Sequence, residues 1–205
     1  MSKARLEAFS DGVFAIVVTL LVLEIKVPQL PHGHAAGDLW PAVAALAPKV
    51  LTWALSFVFA AIYWVNHHHF LSTVGKVDRG LLFLNALFLL ALSFLPFPTA
   101  LLGEYPRETT ALAVFGVSMA VIGLTFLLLR GVTARRGHVP PMPMRVRRAA
   151  EGRSAAGAAL YLLGAAAGFL DVRLAWAVFL LIPVLYLGAS AAERHAAAGG
   201  GSEGG

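Results

Sequence analysis

Two polar residues, Ser10 and Asp11, stand side by side near the start of the first apolar run, with Arg5 and Phe9 before them and Gly12, Val13, Phe14, Ala15 and Ile16 after. A carboxylate in that position can bind a cation, hold a proton or accept hydrogen bonds. It is also expensive, because an acidic residue at the centre of a membrane helix costs about 2.5 to 3.5 kcal/mol on insertion scales, and less near the end. Asp11 should therefore face protein and find donors. The candidates lie in two later apolar runs: Trp64, His67, His68 and His69 in one, Asn85 in the other. Successive helical residues turn by about 100°, so the adjacent histidines cannot converge on one metal, whereas Trp64 shares a face with His67 and His68. The set reads as a hydrogen-bonded network holding three helices together. A proton relay is the sharper alternative, and no metal site is expected.

Composition sets the elements that must position these groups. Of 205 residues, 59% are hydrophobic and 13% charged, and the mean hydropathy is +0.76. A soluble globule is only about half apolar. The chain belongs in a bilayer and leaves no room for a large domain outside it. At roughly 20 residues per span it accommodates about six helices, an all-α membrane fold. They are placed at about 6–27, 38–70, 81–102, 111–129, 154–170 and 174–192, so that 1–195 forms one six-span unit and 196–205 a flexible glycine-rich tail. Pro28 and Pro31 stop the first helix, Pro48 and Lys49 bend the second, and Pro96 and Pro98 with Gly103 end the third. The last two helices form a hairpin at Asp171, and Gly164 with Gly168 reads as a close-packing seam. The first run is a retained helix rather than a signal peptide, since Glu7 and Asp11 are acidic and Lys26, Val27 and Pro28 replace a small-residue cleavage site. Without cysteine, disulfides, thiolate nucleophiles and cysteine-based zinc sites are excluded.

A net charge of +5 and a pI near 10 raise the question of nucleic acid. The basic residues instead follow topology. Lys3, Arg5, Lys76, Arg79, the arginines from Arg130 to Arg153 and Arg194 fall on one side of the spans, against Lys26, Lys49, Arg107 and Arg173 on the other. Cytoplasmic loops collect such residues, so both termini are expected in the cytoplasm of a multi-pass plasma-membrane protein, with no nucleic-acid partner. The basic connection from Arg130 to Arg153 could also meet anionic lipid heads, but topology alone accounts for it.

On the wheel of the first helix, Ile16 lies about 140° from Asp11, and Leu20 and Leu23 fall within about 40° of Ile16, with Thr19 at the edge of the stripe. One face thus carries Ser10 and Asp11 toward neighbouring helices and the other is aliphatic. Spacing alone leaves that second face open to lipid, core packing or a pore, and a threonine in a span commonly bonds its own i−4 carbonyl.

The run Arg5, Phe9, Ser10, Asp11, Gly12, Val13, Phe14, Ala15, Ile16 resembles the signature of the prokaryotic branch of the transmembrane protein 175 family, potassium channels whose animal members act in lysosomes. Leu23 to Pro28 and Trp64 to His68 are similar to that family as well. The resemblance implies a homotetramer in the lipid bilayer whose pore is lined by the first helix, since only one copy of the signature occurs, and it implies no filter loop of the TVGYG kind. It places the constricting isoleucine at Ile16, a pore-facing hydroxyl at Thr19, and further hydrophobic layers at Leu20 and Leu23. Potassium would be the permeant ion near Ile16 and Thr19, with no cofactor and no soluble substrate. Ser10 and Asp11 would join Trp64, His68 and Asn85 in a network bracing the pore helix. Two departures stand out: Ala15 replaces a serine found in some repeats, and His69 has no assigned role. The alternatives are a proton-coupled secondary transporter using Asp11 and the histidines, or a membrane enzyme using the same groups, for which no nucleophile motif, metal set or phosphate loop is present.

Overall fold

The computed structural model describes residues 2–31, 35, 37–141 and 143–199. These are helical throughout their ordered elements, with no strand among them: α1 (Lys3–Leu23), α2 (Leu39–Ala44), α3 (Ala47–Thr73), α4 (Arg79–Ser93), α5 (Pro96–Glu104), α6 (Thr109–Arg135), α7 (Met144–Ala167) and α8 (Val172–Gly199). Two pairs run on as single rods, α2 with α3 over 35 residues and α4 with α5 over 26, which leaves six rods. Residues 200–205, most of the tail expected at 196–205, lie outside the described residues.

Proline explains both breaks. A proline clashes with the carbonyl four residues earlier and has no amide proton to give it. Pro48 acts on Ala44, where α2 ends, and Pro98 acts on Phe94, just past the end of α4. The ladder of the second helix thus tightens into a turn at residues 45–46, and the rod continues through it. Pro96 and Pro98 do not end the third rod; Pro96 opens α5, where its missing N–H is one that no helix would satisfy.

The rods carrying α1, α2 with α3, α4 with α5, and α6 are long and apolar enough to cross a bilayer. The apolar parts of the last two are shorter, Ser154–Ala167 and Val172–Tyr186. The α7 helix starts at Met144, ten residues before the expected 154, because Arg145 to Arg153 is a polar first section built of good helix formers.

α1 packs on α3, α4 and α5, while α6 joins α4 and α5 to the α7–α8 hairpin. Burial within a bilayer gains little from excluding water, so close packing and interhelical hydrogen bonds must hold the rods together. Aromatic rings fill the centre: Phe59 meets Tyr161 edge-on at 5.2 Å, and Phe88 lies 5.1 Å from Phe126. Glycine sets the approach of the hairpin. A Cβ on Gly164 would lie 2.5 Å from the Phe179 ring of α8, and one on Gly168 would touch Leu112 of α6, so the pair faces two different neighbours.

At the end where α6 leaves the bundle, Gly137 adopts φ +69° and closes the helix, with Gly137 N–H on the Ala134 carbonyl and His138 N–H on that of Thr133. This turn brings His138 to Asp78, the N-cap of α4, whose Oδ1 accepts from the Leu81 amide at 2.7 Å. Asp78 Oδ2 lies 3.4 Å from Arg136 and 3.6 Å from His138, and the His138 carbonyl accepts from the Gly75 amide at 2.8 Å. The knot ties the α3–α4 connection to the end of α6.

Candidate functional site

The buried face of α1 is Leu6, Ser10, Phe14, Val17 and Leu21, a helical repeat that turns Ser10 into the bundle. Ser10 is fully buried. Its hydroxyl donates to the Leu6 carbonyl at 2.9 Å and accepts from Asn85 Nδ2 of α4 at 3.0 Å. Asn85 Oδ1 in turn lies 2.7 Å from His67 Nε2 of α3. Because an amide oxygen only accepts, His67 carries its proton on Nε2 and donates. The bonds therefore run in one direction across three helices, from His67 to Asn85 to Ser10 to a backbone carbonyl.

The rings around His67 fix it. Phe88 stacks on it at 5.3 Å, Phe14 is tilted at 5.6 Å and Phe126 lies 6.2 Å away. Asp11, the next residue of α1, points to the rim of this cluster and accepts from Trp64 Nε1 at 2.9 Å. Lys3 Nζ bonds the Ser72 carbonyl at 2.7 Å, so the start of α1 is tied to the end of α3 at the same depth.

The two histidines expected in the network take different places. His68 is exposed and meets Trp64 as a neighbouring ring, at 6.2 Å. His67 is the buried one. Adjacent helical residues point about 100° apart, so only one of them can reach a given neighbour. His69 is exposed as well, and Arg5, Phe9 and Gly12 take no part in this hydrogen-bonded chain. Among the described residues no group of His, Asp or Glu is arranged to hold a metal.

The opposite face of α1 is bare. Ile16 is 59% exposed, Leu20 42% and Leu23 60%, and Phe9, Gly12 and Thr19 are exposed on the same side. Thr19 donates to the carbonyls of Ala15 at 2.8 Å and Ile16 at 2.9 Å, which leaves its oxygen lone pairs outward. None of the described residues covers this stripe.

Two polar features escaped the sequence reading. The buried pair Ser56 and Thr99, 2.7 Å apart, links α3 to α5, and two hydroxyls in separate runs give no spacing signal. Asp78 carries a signal, an N-cap residue three positions before the apolar run that begins at Leu81.

A bundle of apolar rods, crossed by a buried polar chain that fixes one face of its N-terminal helix, defines a polytopic α-helical membrane protein. The family model described as endosomal/lysosomal potassium channel TMEM175 matches residues 5–96. A protein of Streptomyces collinus named as a potassium channel is 40% identical over 190 residues, covering 90% of this chain and 91% of its own. The chain belongs to the TMEM175 family. The crystal structure of a lysosomal potassium-selective channel TMEM175 homolog from Chamaesiphon minutus superposes with a TM-score of 0.78 at 36% identity, over 92% of this chain and 97% of that one. The human endosomal/lysosomal proton channel TMEM175 is 32% identical over 142 residues, 65% of this chain but 28% of its own length.

Proposed function

We propose that this chain is a potassium channel in which four copies of α1 surround a common axis and turn Ile16, Thr19, Leu20 and Leu23 inward. The observation that carries the reading is the division of α1 into a face locked by Ser10 and Asp11 and an aliphatic face that the described residues of its own chain leave uncovered. Helix packing supports the number four. With neighbouring axes about 9 Å apart, a fourfold axis lies about 6.4 Å from each helix axis, and side chains reach about 5 to 6 Å. Three copies would bring that distance to about 5.2 Å and seal the centre, while five would open it to about 7.7 Å.

In the tetramer a ring of Ile16 side chains excludes water when narrow and hydrates when splayed, so dewetting forms the barrier. Potassium holds its water less tightly than sodium, and the outward lone pairs of Thr19 are placed to replace part of it, which gives a modest preference for potassium. Flow is passive. The excess of basic residues at one end of the helices supports cytoplasmic termini, and the tetramer is proposed to sit in the plasma membrane. The choice of potassium follows bacterial relatives named as potassium channels, which match nine-tenths of this chain.

A proton relay through the buried network is disfavoured by its chemistry. An amide in the middle passes a hydrogen bond but not a proton, and the chain ends on the Leu6 carbonyl, which has no proton to hand on. Planar-bilayer recording of the purified protein tests the proposal. Its reversal potential should follow the potassium gradient more closely than the sodium or proton gradient, and Ile16→Asn should raise the leak several-fold. A reversal potential that tracks pH alone, with conductance unchanged by Ile16→Asn, would reject it.

A further inference from the structure

Conduction makes no use of a groove of about 570 Å³ between the last turns of α6 and the first half of α7. Leu124, Leu128 and Val132 of α6 line it together with two arginines, Arg135 and Arg148, and with Glu151. The two leucines are 49% and 46% exposed, on a rod apolar enough to span the bilayer. Both arginines are exposed.

The charges here are unevenly committed. Arg136 pairs with Asp78, and Arg130 and Glu151 each have an interaction of their own. Arg135 and Arg148 form no ion pair with any described residue. Two uncommitted guanidinium groups lining an apolar trough complement an anion joined to hydrocarbon. Guanidinium suits phosphate oxygens through its planar fork of donors. A free anion would leave the leucine wall unused, and an uncharged chain would leave the arginines unmatched.

We infer that the groove between α6 and α7 is a binding site for one anionic phospholipid, whose phosphate sits between Arg135 and Arg148 and whose acyl chain lies along Leu124 and Leu128. The lipid comes from the leaflet at the basic end of the bundle, where anionic heads are attracted by about 1 kcal/mol per basic residue, or about fivefold in affinity each. The site is independent of which ion the channel passes.

Native mass spectrometry of the full-length protein in detergent, titrated separately with phosphatidylglycerol, phosphatidylcholine and inorganic phosphate, tests the assignment. Phosphatidylglycerol should be retained at least tenfold more tightly than phosphatidylcholine, with no competition from inorganic phosphate. The double variant Arg135→Gln with Arg148→Gln should weaken phosphatidylglycerol about 25-fold at low salt, following the fivefold effect of each charge. Arg107→Gln, an exposed arginine before the other end of α6, should change nothing. Leu128→Trp fills the groove while keeping both charges and should also weaken retention. Equal retention of the two lipids, competition by inorganic phosphate, or undiminished binding by the double variant would overturn the site.

Discussion

Asn85 holds His67 at 2.7 Å within a box of phenylalanine rings and uses its other end to hold Ser10 at 3.0 Å, so one side chain of α4 clamps α3 and α1 together. Leucine fits the volume but bonds to neither. Interhelical hydrogen bonds inside membranes are worth about 0.6 kcal/mol on average and up to about 2. Asn85→Leu should therefore cost about 1 to 3 kcal/mol of stability, read as a lower melting temperature in detergent micelles. A melting curve matching the wild type would show that the clamp holds nothing.

Trp64 gives Asp11 its only hydrogen bond from a described side chain. Trp64→Phe keeps most of the ring and removes the Nε1 donor. Bonds to charged groups are worth about 1.5 to 3 kcal/mol when buried, and partial exposure of both partners lowers this to about 1 kcal/mol. Asp11→Asn in the same background should add little further loss, because the pair is already broken. Additive losses in this double-mutant cycle would mean that the two residues act separately.

Asp78 gives the acid side of the stability profile a definite sign. The Leu81 amide, and after it His138 and Arg136, hold its carboxyl below the ordinary carboxylate range. A folded value below the unfolded one of about 3.9 means that the contribution is complete above that pH and is lost as pH falls through the lowered value. Asparagine still caps the helix but carries no charge. Melts of wild type and Asp78→Asn should differ at pH 7, and the gap should begin to close only below about pH 4, as pH falls toward the lowered value; a gap that stays constant with pH would contradict this.

The chemistry of α1 was legible because Asp11 is costly in an apolar run and must find donors, and Trp64 and Asn85 are among the few polar residues at its depth. The choice between His67 and His68 was not, since each fits the wheel of α3 and only the position of α4 decides. The proline breaks follow from the i−4 rule applied to Pro48 and Pro98, but whether such a break bends a rod or ends it depends on packing beyond it. The early start of α7 was hidden because hydropathy marks the membrane part of a helix, and Arg145 to Arg153 is its polar part. The brackets formed by Asp78, Arg136 and His138 join residues about 60 positions apart, a distance at which no local pattern speaks.

The proposed convergence of four α1 helices on one axis can be tested directly, because the chain has no cysteine and Ile16→Cys creates a single thiol. With Cα atoms about 2.3 Å from each helix axis, residues at position 16 of adjacent subunits fall about 5.8 Å apart, within the disulfide range of about 4.4 to 6.8 Å. Mild oxidation of Ile16→Cys in native membranes should give a covalent dimer on a denaturing gel, and a thiol reagent should block its potassium current. A protein that stays monomeric under oxidation, with a current indifferent to the reagent, would show that Ile16 does not face the axis.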